Sequence, residues 1–139
     1  MPYGIKDVAE KLNLSVPTIR YYDKEGLLPF IERRESGYRV FNEGDVQLLK
    51  IIECMKKTGM QLKDIKKFVD YVKEGDSSLQ KRYELFEERR KAVTEQMAEL
   101  QKSLDLIEYK CWYYKTAVEA GTEKVHQTNC FDVKNPLDE

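Results

Sequence analysis

The chain has 139 residues, 41% of them hydrophobic, and sets 24 lysines and arginines against 25 aspartates and glutamates, for a formal charge of −1. That balance excludes a polycation that holds nucleic acid through bulk charge, and no apolar run is long enough to span a bilayer. One compact domain with an extension is expected. Three irregularly spaced cysteines and no export signal point to a reducing, cytoplasmic setting rather than a disulfide framework.

Ile5, Val8, Ala9 and Leu12 recur at helical spacing, Asn13 and Ser15 mark a tight turn, and Val16, Ile19 and Tyr22 carry the apolar period into a second helix. Two short helices joined at a polar turn predict a helix-turn-helix. Ser15 suits the N-cap of the second helix and Pro17 its first turn, where a missing N–H leaves no bond unmade. In such a unit the start of the second helix enters the major groove, so Ser15, Pro17, Thr18, Arg20, Tyr21 and Tyr22 are candidate DNA contacts. Arg20 leads them, because a guanidinium grips phosphate or guanine through two parallel hydrogen bonds, while a tyrosine hydroxyl reaches a phosphate. Tyr22 shares a helical face with Ile19 and also reads as core, so the division of labour between Tyr21 and Tyr22 stays open.

Gly26 closes the second helix, and the segment from Phe30 to Phe41 carries a Ser36-Gly37 turn that predicts a small β-hairpin. Arg33 and Arg34 precede that turn and Tyr38 and Arg39 follow it. A basic turn is ordinarily solvated surface; directly behind a helix-turn-helix it reads as a phosphate clamp. Val46, Leu49, Ile52 and Met55 then mark a third helix from about Glu43, and Leu62, Ile65, Phe68, Val69 and Val72 a fourth that stops near Gly75. Lys56 and Lys57 at the end of the third helix suit its dipole.

No proline or glycine occurs from Asp76 to Ala120, where Leu79, Tyr83, Phe86, Arg90, Val93, Met97, Leu100, Leu104, Ile107, Cys111, Tyr114 and Val118 recur by steps of four and three. That is a coiled-coil seam. At ~1.5 Å per residue the helix would run about 65 Å, far beyond what so small a head can cover, so its partner is expected to be the same helix of a second copy. Periodicity leaves parallel and antiparallel pairing open. Arg90 interrupts the apolar series and reads either as an ion-pair partner for Glu87 or Glu88 of the other copy or as the place where the two helices diverge. The divisions are residues 1–75 for the head, 76–120 for the dimer helix and 121–139 for a tail, with net charges of +2, −1 and −2. DNA binding must then rest on placed cations, and it should weaken with salt as phosphate contacts release counterions.

The run S-V-P-T-I-R-Y-Y-D-K-E-G-L-L-P, followed by R-R-E-S-G-Y-R-V-F, closely resembles the N-terminal signature of the MerR family of bacterial transcription regulators. The likeness continues through Asn42 to Val46, Leu48 to Met55 and Thr58 to Ile65, which look like that family's third and fourth helices. The resemblance implies an all-α fold with a small β-hairpin wing: a winged helix-turn-helix head and a long C-terminal helix that pairs antiparallel in a homodimer. It also implies a phosphate contact at Lys57. Regulators similar to this one bind promoters whose polymerase elements lie too far apart, and an effector makes the dimer distort the spacer so that RNA polymerase can engage. The expected partners are therefore double-stranded promoter DNA, RNA polymerase and a second copy, with no membrane and no cofactor.

Cys54 lies in I-I-E-C-M-K-K-T-G on the third helix. Isolated cysteines are often small buried hydrophobes. Against that, the sequence resembles a MerR subgroup in which a cysteine at this place reacts with electrophiles such as short aldehydes, the thiolate being the nucleophile. The family's metal sensors carry a cysteine at the start of the dimer helix, where this chain has Asp76, Ser77 and Ser78. A site from Cys111, His126 and Cys130 is the metal alternative. Tyr109, Trp112, Tyr113 and Tyr114 form an aromatic cluster that would suit a flat apolar effector or simple packing. The residues after Ala120 are too few to fold around a drug-sized molecule.

No enzyme is legible: there is no serine with an acid–base partner and no phosphate-binding glycine loop, and His126 falls in a tail expected to be flexible. An excisionase-like architectural protein would share the head but has no use for so long a self-pairing helix. A coiled-coil protein with a vestigial head would not keep Arg20, Arg34, Tyr38 and Arg39.

Overall fold

The structure, a computed structural model, describes residues 2–133. In chain order it runs α1 (Ile5–Leu12), α2 (Val16–Lys24), β1 (Glu32–Arg33), β2 (Arg39–Val40), α3 (Glu43–Lys57), α4 (Leu62–Glu74) and α5 (Leu79–Ala120), with single 3₁₀ turns at Asp76–Ser78 and Glu123–Val125. Compact packing divides the chain into two units, residues 1–90 and 91–139, and α5 contributes to both.

Local chemistry sets most boundaries of the first unit. The Asp7 carboxylate accepts the Gly4 N–H at 3.0 Å to open α1, which ends where Asn13 turns left-handed at φ 54°. Ser15 Oγ accepts the Thr18 N–H at 3.2 Å, and Pro17 occupies the first turn of α2. Asn42 and Asp45 exchange side-chain and backbone bonds, both 2.9 Å, to start α3. Gly37, at φ 83°, makes the turn that lets β1 and β2 pair antiparallel, Glu32 against Val40 and Arg33 against Arg39. The predicted wing and its turn are thus both present. A further antiparallel bridge joins Tyr3 to Phe41, so the segment leading from β2 into α3 is tied to the segment before α1.

Val8 from α1, Ile19 and Tyr22 from α2, Val46, Leu49 and Ile52 from α3, and Ile65 and Val69 from α4 interlock with Leu27 and Phe41 in one core. Each such aliphatic side chain contributes roughly 1.5–3 kcal/mol relative to exposure. At the α4–α5 elbow, Gly75 takes φ 84° and the fully buried Ser78 hydroxyl donates to the Tyr71 and Gly75 carbonyls. Arg82 reaches back to Ser78 Oγ at 3.0 Å and to the Gly75 carbonyl at 2.6 Å, which closes the turn. Arg90 pairs with Glu87 of its own helix at 2.8 Å. Phe86, assigned to the seam, meets Phe68 of α4 edge-on at 5.3 Å while staying partly exposed.

In the second unit, residues 121–133 of the tail expected to be flexible are packed, and residues 134–139 lie outside the described residues. Residues 121–133 fold back as a hook on the last turns of α5, because the aromatic cluster there gives them a surface to dock on. Tyr109, Tyr113 and Ala117 are buried. His126 stacks on Tyr113 with ring centres 4.1 Å apart, and its Nε2 lies 2.8 Å from both the Tyr113 carbonyl and Thr116 Oγ1. A carbonyl only accepts, so Nε2 carries the proton. Lys110 donates to the Cys130 carbonyl at 3.1 Å and lies over the Tyr109 and Tyr113 rings.

The Tyr113 hydroxyl donates to Glu123 at 3.0 Å. Desolvation first, then that hydrogen bond, pushes its phenol up to about 12 from the usual value near 10. Because the folded value is the higher one, this group's stabilisation of the hook is complete below about pH 10 and is lost as the pH rises through about 12. Trp112, the only tryptophan, sits 5.0 Å from the His126 ring and reports on the hook. Its fluorescence is expected to change between those two pH values in the wild type, and Tyr113→Phe is expected to remove that transition.

Candidate nucleic-acid interface

The exposed edge of α2, the hairpin tip and the first turn of α1 enclose a hollow of about 440 Å³ lined by Ile5, Arg20, Ser36, Gly37, Tyr38 and Arg39. Three residues singled out from sequence, Arg20, Tyr38 and Arg39, therefore converge although 18 or more positions separate Arg20 from the other two. Arg20, Tyr21, Arg33, Arg34 and Tyr38 are exposed, and Ser15 and Pro17 flank them at the exposed start of α2. Ser15 and Thr18 share a 2.6 Å hydroxyl hydrogen bond, which places both at the N-terminus of α2.

Asp23, which sequence reasoning missed, organises the wing. Its carboxylate, with only 10% of the side chain exposed, accepts from Arg33 and, at 2.7 Å, from Arg39 Nε. Two guanidiniums thus share one largely covered carboxylate, so the hairpin is fixed against α2 with one positive charge in excess. The motif holds a signal for this: a single acid directly after Arg20-Tyr21-Tyr22, with a pair-forming set of arginines a hairpin away. Arg39, mostly covered, is held in place, while Arg33 is half exposed.

Gly4 sits directly under the Tyr38 hydroxyl, where an added Cβ would come within 2.5 Å of that oxygen. Its φ of −80° would accept any residue, so the requirement for glycine is one of space. Gly4→Ala is expected to leave helical content unchanged, swing the phenol out of the hollow and weaken operator binding by about threefold to tenfold, the worth of one hydrogen bond. A gel shift checks this, with Tyr38→Phe expected to show the same loss.

One assignment changes. Tyr22 is buried at 1% exposure and its hydroxyl turns inward, donating to Glu53 Oε1 and accepting from Lys56 Nζ, both at 2.7 Å. It is a core residue, because its position on α2 faces α3 while Tyr21, one residue earlier, faces out. Lys57 does not join the wing hollow. It lines a separate one of about 400 Å³ with Leu12, Lys50, Glu53, Cys54 and Thr58.

Cys54 is exposed on the wall of that second hollow, which overturns its reading as a buried hydrophobe. Cys111 is exposed on α5. Among the described residues no three His, Cys, Asp or Glu side chains converge as metal ligands, and His126 already spends Nε2 on Tyr113. Along α5, Leu79, Tyr83, Phe86, Met97, Leu100, Leu104, Ile107, Tyr114 and Val118 all stand exposed, Leu100 at 70% and Val118 at 79%. Val93 is partly covered. No helix of the described residues is long and apolar enough to cross a membrane.

Residues 3–72 match the MerR HTH family regulatory protein family, and residues 46–108 match the MerR, DNA binding family. An HTH-type transcriptional regulator of Haemophilus influenzae is 46% identical over 124 residues, covering 89% of this chain and 92% of the relative. The regulator AdhR of Bacillus subtilis is 29% identical over 92 residues, 66% of each chain. Among solved structures, HiNmlR, a MerR family regulator lacking the sensor domain, bound to promoter DNA, superposes with a TM-score of 0.84 at 44% identity over 93% of this chain and 98% of that one. The winged head, the long helix and the matched sequence together place this chain in the MerR family, as a DNA-binding transcriptional regulator of that type.

Proposed function

We propose that the chain acts as a homodimer on promoter DNA, with two copies of α5 paired antiparallel through their exposed apolar seam and one α2 reading each half-site. The observation that carries this is the hollow shared by Arg20, Tyr38 and Arg39, a basic cradle built by the reading helix and the wing together. Arg20 and Tyr21 face the groove, and Thr18 and Ser15 stand at the phosphate beside the N-terminus of α2. Arg33, Arg34, Tyr38 and Arg39 hold the flanking backbone, and Lys57 remains the candidate contact at the end of α3. The relative seen on promoter DNA supports the reading. The dimer bends and untwists an overlong spacer so that RNA polymerase can engage it.

The inducer in this reading is a short aldehyde or kindred electrophile, sensed through Cys54. Its exposure in a hollow beside Lys50 and Lys57 supports that role, since a sensing thiol must be reachable. The test is run-off transcription from supercoiled DNA carrying the protein's own upstream promoter, with wild type and Cys54→Ser, each with and without a short aldehyde. Aldehyde is expected to raise transcription only with the wild type while both proteins stay bound. Equal induction of both proteins would remove Cys54 from the sensor, and loss of DNA binding by both would remove the activator reading.

A further inference from the structure

Tyr22 stands two residues beyond Arg20 on the reading helix, yet its hydroxyl is anchored on α3, in the turn that carries Cys54. The phenol has one hydrogen to give and spends it on Glu53; it accepts from Lys56, whose ammonium also lies 5.2 Å from the ring centre. Both capacities of the buried hydroxyl are therefore taken up by residues one before and two after Cys54. Glu53 has a second role, as it lines the same hollow as Cys54 and Lys57. Burial and the Glu53 carboxylate hold the phenol protonated to well above its usual range, so it stays a donor throughout the working pH range.

We infer that Tyr22 is the positioning residue that reports the state of the Cys54 hollow to the reading helix, with Glu53 as the shared contact. A group placed in the hollow competes for Glu53 or displaces it. The buried phenol then loses its acceptor, a costly state inside a core, and regains one only by moving, which turns α2 beneath Arg20 and Tyr21. An occupant that left Glu53 in place would shift nothing, since only a difference in interaction between two states moves an equilibrium. This inference rests on the proposal that the Cys54 hollow is the sensing site, but not on the identity of the inducer.

The test uses methyl methanethiosulfonate, which transfers a methylthio group to the cysteine sulfur as a disulfide and releases methanesulfinate, so it reports on the coupling without any aldehyde. Hydrogen exchange of the α2 amides is followed in the full chain, with and without label, for wild type, Cys54→Ser, Tyr22→Phe and Glu53→Gln. Peptide mass confirms which cysteines are labelled, and Cys54→Ser subtracts the effect of label on Cys111 and Cys130. Labelling is expected to speed α2 exchange about tenfold in the wild type, the equivalent of one hydrogen bond, and not in Cys54→Ser. Tyr22→Phe keeps the ring in the core but drops the hydroxyl; it and Glu53→Gln are expected to exchange faster before labelling and to respond less than about twofold to it. Labelling that speeds α2 equally in wild type and Tyr22→Phe overturns the inference, as does wild-type exchange that ignores the label. A failed aldehyde response in transcription, with this pattern intact, would overturn the inducer and leave the coupling standing.

Discussion

Leu104→Asp is expected to turn the protein into a monomer and to weaken binding to a two-half-site operator by at least about a hundredfold, because a dimer converts the second half-site contact into an intramolecular one. Leu104 stands exposed in the middle of the apolar series on α5, with Leu100 one turn before it and Ile107 one turn after. So many exposed apolar side chains on one helical series exceed what a lone soluble helix carries without a partner. An aspartate there puts one charge from each copy into an apolar seam without counter-charge. The head keeps its own core of Val8, Ile19, Leu49, Ile52 and Ile65, of which Leu104 is not a member, so the variant should stay folded in circular dichroism. Sedimentation velocity and a gel shift together check the result. A Leu104→Asp protein that remains dimeric would place the self-association surface elsewhere on the chain.

What was legible from the sequence is what is encoded within a few positions. Ser15 and Pro17 start α2 and Ser36-Gly37 makes the wing turn, each through a side-chain bond or a backbone conformation closed inside four residues. Helical period then placed Ile19, Val46 and Ile52 inward without knowledge of their partners. The pieces that were missed all join distant segments. The Tyr3–Phe41 bridge, the capture of Arg33 and Arg39 by Asp23, and the hook that lays His126 on Tyr113 depend on contacts 10 to 38 positions apart, for which a single chain offers no period. Tyr22 shows the limit most plainly. Two adjacent tyrosines on a helix point about 100° apart, so one must face the core, but only the position of α3 settles that Tyr22 finds Glu53 and Lys56 there. Cys54 went the other way: it lies between buried Ile52 and Met55 in sequence and is nevertheless exposed, because at about 100° per residue it falls roughly 130° around the helix from the face those two share.

Arg20→Ala is expected to lower operator affinity by roughly tenfold to a hundredfold, the worth of a bidentate guanidinium contact at about 1–3 kcal/mol. Arg20 is exposed on α2 and forms part of the same hollow as Tyr38 and Arg39, and no side chain of the described residues holds it by a hydrogen bond or ion pair. Arg33 and Arg39 differ in that respect, since Asp23 already engages both. Replacing Arg33 should therefore cost less affinity than replacing Arg20, even though both are arginines in the same cradle. Titrating salt separates the two roles Arg20 can fill. A phosphate contact would reduce the slope of log affinity against log salt by about one and weaken all sequences alike, whereas a guanine contact would leave the slope and relax the preference at one base pair of each half-site. Either result keeps the reading helix at the DNA. An Arg20→Ala protein that binds its operator as tightly as the wild type would instead remove the hollow shared with Tyr38 and Arg39 from the interface, and with it the geometric support for the wing as a phosphate clamp.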